Sequence, residues 1–194
     1  MNDVAAIGAL EDLRYLALTG YNLEKCDFLS ALGSLESVYI GFGGGKTLDA
    51  LRGKRNLRRL ELMKVSRLED FAAIGDLEAL EWLKIEQQAR LRKLPSFERV
   101  PQLKFLYLDT VDGLQDLSSL DGRQLQELLL IAKIPSSVVK TLGRCRAERQ
   151  FVLLRTKAEN AKVPTAFAPN NVGRSTDLTQ WLQMMAKPVA FSAP

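Results

Sequence analysis

The chain has 194 residues, 46% of them hydrophobic and 26% charged, which is the composition of an ordinary globular protein long enough to bury a continuous core. Its lack of histidine and its two cysteines remove the commonest general base and the commonest zinc ligands, so we expect neither an enzyme nor a cofactor. The net charge is +4, and the residues from Lys133 onward hold ten basic against three acidic side chains, which makes the C-terminal end basic.

A six-residue phrase, L-x-x-L-x-L, recurs along most of the chain. Six consecutive copies keep their apolar positions, with only Val and Ile replacing Leu, and their first leucines lie 22 or 23 residues apart. Within each phrase the fourth and sixth positions are apolar while the third, fifth and seventh vary, which predicts a short strand buried on one face. The copies begin at Leu13, Leu35, Leu57, Leu80, Leu103 and Leu125.

The segments between the phrases, such as residues 28–32 and 71–74, have apolar residues three or four apart, which favours about one helical turn. One strand and one such turn per repeat stack into a solenoid with a parallel sheet. The period and the phrase resemble the leucine-rich repeat family. That resemblance implies an α/β leucine-rich repeat solenoid with a parallel β-sheet on the concave face and short helices or turns on the convex face.

The repeat pattern divides the chain into four parts. Residues 1–12 align with the end of a later repeat and form a partial N-terminal repeat or cap, while 13–134 hold six complete repeats. Residues 135–160 read as a degenerate C-terminal repeat or cap, with a helical segment after Pro135 and a seventh strand at 151–154. Residues 161–194 form a tail, in which Leu178, Trp181, Leu182 and Met185 share one face of a predicted helix. This helix either closes the last repeat or binds a partner.

Two segments inside the repeats suggest function at first sight. The loop Gly41–Thr47 resembles a phosphate-binding loop, but the position where that motif needs its first glycine is Ile40, so we favour a turn that the glycines allow to bend, or a rim loop that contacts a partner. The basic run from Arg52 to Arg59 is interpreted as a solvated edge rather than a nucleic-acid site.

The third, fifth and seventh positions are free of the folding pattern and are predicted to project from the concave face in three columns. They carry aromatic and charged side chains, the residue types that dominate binding hot spots. We expect Trp82, Phe105 and Tyr107 to be accessible central anchors and the charged residues to set complementarity. The predicted partner-binding residues are Tyr15, Tyr39, Arg59, Glu61, Trp82, Lys84, Glu86, Phe105, Tyr107 and Asp109.

These observations favour a non-enzymatic module that binds a protein partner in its concave face. The short pitch, without a regular Asn after the strand, is similar to that of intracellular leucine-rich repeats. Small bacterial proteins of this kind include immunity proteins that neutralise a cognate toxin, so the resemblance implies a toxin or effector as one candidate partner.

A second hypothesis is RNA or polyanion binding through Arg144, Arg146, Arg149, Arg155 and Lys157. Cys145, near several of these arginines, is interpreted as structural rather than catalytic. Cys26 and Cys145 lie about five repeats apart, too far to pair at about 4.8 Å per strand. Unpaired thiols, no apolar run long enough to span a bilayer and no secretory signal favour the cytoplasm.

Overall fold

The computed structural model describes residues 4–154. Seven strands form one parallel sheet in chain order, one strand for each phrase and a seventh near the end of the described chain. The strands are β1 (Tyr15–Thr19), β2 (Ser37–Gly41), β3 (Arg59–Met63), β4 (Trp82–Glu86), β5 (Phe105–Asp109), β6 (Gln124–Ala132) and β7 (Arg146–Leu154). The predicted solenoid with a parallel sheet is therefore confirmed.

The register follows the repeat, because each residue pairs with the one that holds the same position in the next repeat. Leu16 lies opposite Val38, which lies opposite Leu60, and the same step continues to β6. Between β6 and β7 the step is 22 residues, as in Glu127 opposite Arg149. A single position in the phrase therefore forms a column that crosses the whole sheet.

The convex side is built mainly from 3-10 helices rather than α-helices. Helical turns between the strands are present as η1 (Val4–Ala9), η2 (Leu23–Lys25), η3 (Asp27–Ala31), η4 (Asp49–Leu51), η5 (Ala72–Asp76) and η6 (Ser118–Leu120), of which η2 was not predicted. One α-helix, α1 (Ser136–Lys140), occurs in the described chain and begins just after Pro135, as the sequence indicates. Between β4 and β5 the chain forms turns and one isolated bridge, from Lys93 to Asp116.

The core lies between the sheet and the convex helices. The fourth- and sixth-position side chains of the inner strands are at most 2% exposed, as are the first leucines of most repeats. One position in this core holds a charge: Lys54 occupies the place that Leu32 and Leu77 hold in the neighbouring repeats, and it is 4% exposed. Its ammonium group donates a hydrogen bond to the Ser30 carbonyl at 3.0 Å, and burial lowers the pKa of Lys54.

Each of the first five strands is followed directly by an eighth-position residue with a left-handed backbone. Its N–H donates to the seventh-position carbonyl of the next repeat at 2.7 to 3.0 Å. Only glycine adopts a positive φ without strain, yet four of the five residues here are not glycine. The five are Gly20 (φ 78°), Phe42 (55°), Lys64 (47°), Gln87 (53°) and Thr110 (54°).

The C-terminal end of the described chain differs from the prediction in the length of its last strand. Strand β7 begins at Arg146 and is nine residues long, whereas the sequence predicted only residues 151–154 as a strand. The tail 161–194, including its predicted helix, lies outside the described residues, as do Arg155 and Lys157. Within residues 4–154 no helix has the length and apolar character needed to cross a membrane.

Candidate binding face

The sheet surface that points away from the convex helices carries the third-, fifth- and seventh-position side chains of all seven strands; we call it the concave face. The strand register brings every predicted binding residue onto it. The third-position column runs from Tyr15 through Arg59 and Trp82 to Arg149. The fifth column includes Tyr39, Glu61, Lys84 and Tyr107, and the seventh includes Glu86 and Asp109.

The part of the concave face formed by β1 to β3, together with Lys84 and Glu86 of β4, is at least partly exposed and carries aromatic and charged side chains. Tyr15 is 60% exposed and Tyr39 is partly exposed. Two ion pairs each join two residues of one strand. Arg59 pairs with Glu61 on β3 at 2.8 Å, and Lys84 pairs with Glu86 on β4 at 2.7 Å. The pairs hold both signs of charge in fixed positions, so this half of the face is preorganised for a polar partner surface.

A continuous network crosses the face from β3 to β7. The guanidinium of Arg59 lies 3.9 Å from the centre of the Trp82 ring, a cation–π geometry, and Trp82 packs against Tyr107 with 5.0 Å between ring centres. The Tyr107 hydroxyl then donates to a carboxylate oxygen of Glu127 at 2.6 Å. Glu127 is 5% exposed and also pairs with Arg149, which compensates its buried charge.

The other half of the face, on β4 to β7, is an apolar cluster separate from the main core. Its buried members are Trp82, Tyr107, Leu129 and Ile131, and the partly buried Phe105, Phe151 and Leu153 pack against them. We call these seven residues the concave cluster. Burial in this apolar setting raises the pKa of Tyr107 to about 12 despite the two nearby arginines.

The expectation that Trp82 and Tyr107 are accessible anchors is wrong, because they are 7% and 3% exposed. The two rings do share one face with the other predicted residues, and they pack against each other with 5.0 Å between ring centres. Phe105 and Asp109 are partly exposed. No observation tests whether any of the ten residues contacts a partner, so that role stays a prediction.

Three residues of the face were missed by the sequence reasoning: Arg149, Phe151 and Leu153. They continue the three columns on β7, at one repeat length beyond Glu127, Leu129 and Ile131. The signal that could have found them is the 22-residue step itself. It was obscured because Ala147 and Gln150 hold the first and fourth positions of this repeat, where a leucine is expected.

The loop after β2 is an ordered part of the stack rather than a phosphate site. Gly44 donates to the Tyr21 carbonyl at 3.0 Å and Gly45 donates to the Ser66 carbonyl at 3.2 Å, so the loop pairs with both neighbouring repeats. A side chain at Gly43 would place its Cβ 2.2 Å from the Tyr21 carbonyl oxygen, so this glycine is required by close backbone approach. Phe42 at its start is 55% exposed.

The basic segments are largely neutralised within the chain. Arg52 pairs with Asp49 and Asp76 on the convex side, and Arg58 pairs with Glu81. At the C-terminal end Arg144 pairs with Asp121. Arg149 pairs with Glu127, as described above. These contacts support the interpretation of the first cluster as an edge and weaken the case for a polyanion site.

The cysteine chemistry is that of buried structural thiols. Cys26 and Cys145 are both free and buried. Burial raises the pKa of Cys145 to about 11, and the opposing effect of Arg146 and Arg123 is smaller. A reactive cysteine needs the reverse, a pKa lowered toward neutrality. Among residues 4–154 no three metal-ligating side chains come together.

Comparisons with known proteins give the class of the fold. No protein-family model matches the chain, and no curated protein does. Among solved structures it is similar to an internalin (inlF) from Listeria monocytogenes strain 4b F2365, with 19% sequence identity and a TM-score of 0.53. The match covers 84% of this chain and 49% of the internalin, so the chain spans about half the length of that protein. The fold is the leucine-rich repeat solenoid.

Proposed function

We propose that this protein is a non-enzymatic module that binds a protein partner in its concave face. The observation that carries the proposal is the partly accessible part of that face, where Tyr15 is 60% exposed, Tyr39 lies opposite Glu61, and the Arg59–Glu61 and Lys84–Glu86 ion pairs follow on β3 and β4. The main core needs none of these side chains. Accessible tyrosines and paired charges of both signs on one face are the kind of surface that a folded protein partner recognises.

The finer proposal is an immunity protein that neutralises a cognate toxin in the cytoplasm. A rigid face binds with little loss of conformational freedom, which suits the tight and lasting capture that neutralisation requires. The buried, unpaired thiols are consistent with a reducing compartment. An enzymatic role has little support in the described chain, because Cys145 is not activated and residues 4–154 gather no metal ligands.

The test uses a partner captured with the full chain and identified by mass spectrometry. Its affinity is then measured for the wild type, for the double variant Tyr15→Ala, Tyr39→Ala, and for Arg99→Ala as a control. Arg99 has a side chain that is 63% exposed, close to the exposure of Tyr15, but it pairs with Asp76 and Glu78 away from the concave face. We expect the double variant to lose most of the affinity and Arg99→Ala to lose none.

Equal affinity of all three proteins would refute the concave-face proposal. The toxin proposal has its own readout, which is growth of cells that express the captured partner alone or together with this protein. Growth arrest by the partner and rescue by the wild type, but not by the double variant, is the expected result. A partner that is harmless on its own would exclude the immunity role and leave the binding role intact.

A further inference from the structure

Four members of the concave cluster are buried although they lie on the sheet face that points away from the convex helices. Side chains in a single layer on an open sheet face keep their outer ends in water, as the partly exposed Tyr39 does on the interior strand β2. Leu129 and Tyr107 stand in the same fifth-position column as Tyr39 but are each 3% exposed, and Ile131 in the seventh-position column is 8% exposed. Burial of apolar side chains on this face indicates that another segment or molecule covers them.

We propose that the chain's own C-terminal segment, residues 175–186, docks on the concave cluster. Ser175, Thr176 and Asp177 supply a helix N-cap, and four apolar side chains follow at helical spacing: Leu178, Trp181, Leu182 and Met185. Such a helix offers one apolar face to an apolar groove. The inference does not depend on the proposed function.

The place where the described chain ends supports this occupant. Leu154, the last residue of β7, directly follows Leu153, a member of the concave cluster. The twenty residues 155–174 span up to roughly 65 Å when extended, whereas β7 and β4 lie only about 14 Å apart across the sheet. A tethered segment also has an effective concentration in the millimolar range, which favours it over a separate molecule.

Charge is complementary as well. Residues 155–194 hold five basic and two acidic side chains, and Arg155 and Lys157 follow β7 directly. Strand β7 ends at the carboxyl edge of the sheet, where the seventh-position column carries Glu86 and Asp109. A basic segment leaving this edge is attracted toward the face rather than away from it.

The experiment uses the fact that the chain has two tryptophans, Trp82 and Trp181. In full-length Trp181→Phe, the docking face stays apolar and Trp82 is the one remaining tryptophan. Acrylamide quenching of the fluorescence then reports how accessible the Trp82 ring is to solvent. In full-length Trp181→Asp the same reporter remains, but the docking face carries a charge. The matched control is Trp181→Phe with Gln183→Asp, which places the same charge on the opposite face of the predicted helix.

We expect Trp181→Asp to raise the quenching constant of Trp82 several-fold and to shift its emission to the red, with no change in the Gln183→Asp control. Trp181→Phe with Leu182→Asp serves as a second disrupting variant. If either loses the circular dichroism of the sheet, the milder Leu182→Ser in the same background replaces it. Quenching that is the same in all variants would overturn the proposal.

The oligomeric state shows whether the docked segment belongs to the same chain as the concave cluster or to a second copy of the protein. It is measured for each variant by light scattering across a range of protein concentrations. A monomer whose quenching does not depend on concentration supports docking within one chain. If Trp82 becomes accessible only when a dimer dissociates, the covering segment belongs to a second copy and the proposal is wrong.

Discussion

Replacing Lys54 by leucine tests the idea that one charge weakens an otherwise uniform core. Lys54 occupies a column that Leu32, Leu77 and Val100 fill completely, each with no measurable exposure, and it is itself only 4% exposed. Its ammonium makes one described hydrogen bond, to the Ser30 carbonyl, although it has three donors. The side chain therefore bears a desolvation penalty that a leucine does not.

The expected gain follows from what the substitution removes and adds. Replacing a buried ion pair by apolar side chains of similar volume is often neutral or stabilising by about 1–4 kcal/mol, and we take the same scale for the single buried charge of Lys54. The lost hydrogen bond to a carbonyl offsets roughly 1 kcal/mol of this. We expect Lys54→Leu to stabilise the protein by roughly 1–3 kcal/mol, and a domain of this size gains about 2–4 °C in Tm for each kcal/mol.

The pH dependence gives an independent check. Burial lowers the pKa of Lys54 in the folded state, so the unfolded chain binds this proton more tightly. The stability of the wild type should therefore rise as the pH increases from neutral toward the ordinary lysine pKa near 10.5, and Lys54→Leu should lack this contribution. Urea unfolding at pH 7 and pH 9 measures both effects, with Arg55→Leu, at an exposed neighbouring position, as the control. Equal stability of Lys54→Leu and the wild type at both values would refute the reasoning.

Three further predictions concern the sheet. Tyr107→Phe removes the hydrogen bond to buried Glu127 and should lower the free energy of unfolding in urea by about 1.5–3 kcal/mol at pH 7. Because the pKa of Tyr107 is raised to about 12 in the folded state, the wild type should lose stability between pH 10 and about 12. The variant should lose less over this range. Gly20→Ala should cost about 1–2 kcal/mol through its φ of 78° alone, since no atom lies within 4 Å of the added Cβ, and an unchanged Tm would contradict this. Phe42→Gly should raise the Tm by relieving the same strain, while lowering partner affinity if Phe42 contacts the partner; a lower Tm would show that the ring stabilises the fold.

The L-x-x-L-x-L phrase predicted the strands well because apolar and variable positions alternate within it, which is a local property of the sequence. The positions that enter the core are fixed by the twofold period, and the pitch fixes which residues become neighbours across the sheet. Strand β7 was only partly predicted, since Ala147 and Gln150 interrupt the pattern while the backbone still pairs with β6. Pairing with a formed neighbour outweighs weak local preference.

The site was predicted less completely than the fold. The columns could be read from the sequence, but the burial of Trp82 and Tyr107 could not, because a repeat pattern does not specify what packs on the concave face. The placement of Arg59 over the Trp82 ring and the bond from Tyr107 to Glu127 are set by rotamers that a repeat pattern does not encode. Lys54 was missed for a related reason: its sequence context indicates a solvated basic run.

The left-handed residues that directly follow the first five strands have a practical consequence. Their backbone geometry is held by the hydrogen bond to the next repeat, whichever side chain is present, since glycine, phenylalanine, lysine, glutamine and threonine all occupy it. Neighbouring strands are about 4.8 Å apart, so these five positions form an evenly spaced row along one rim. An engineer could vary all five together and display a short discontinuous epitope there, without changing the leucines of the repeats.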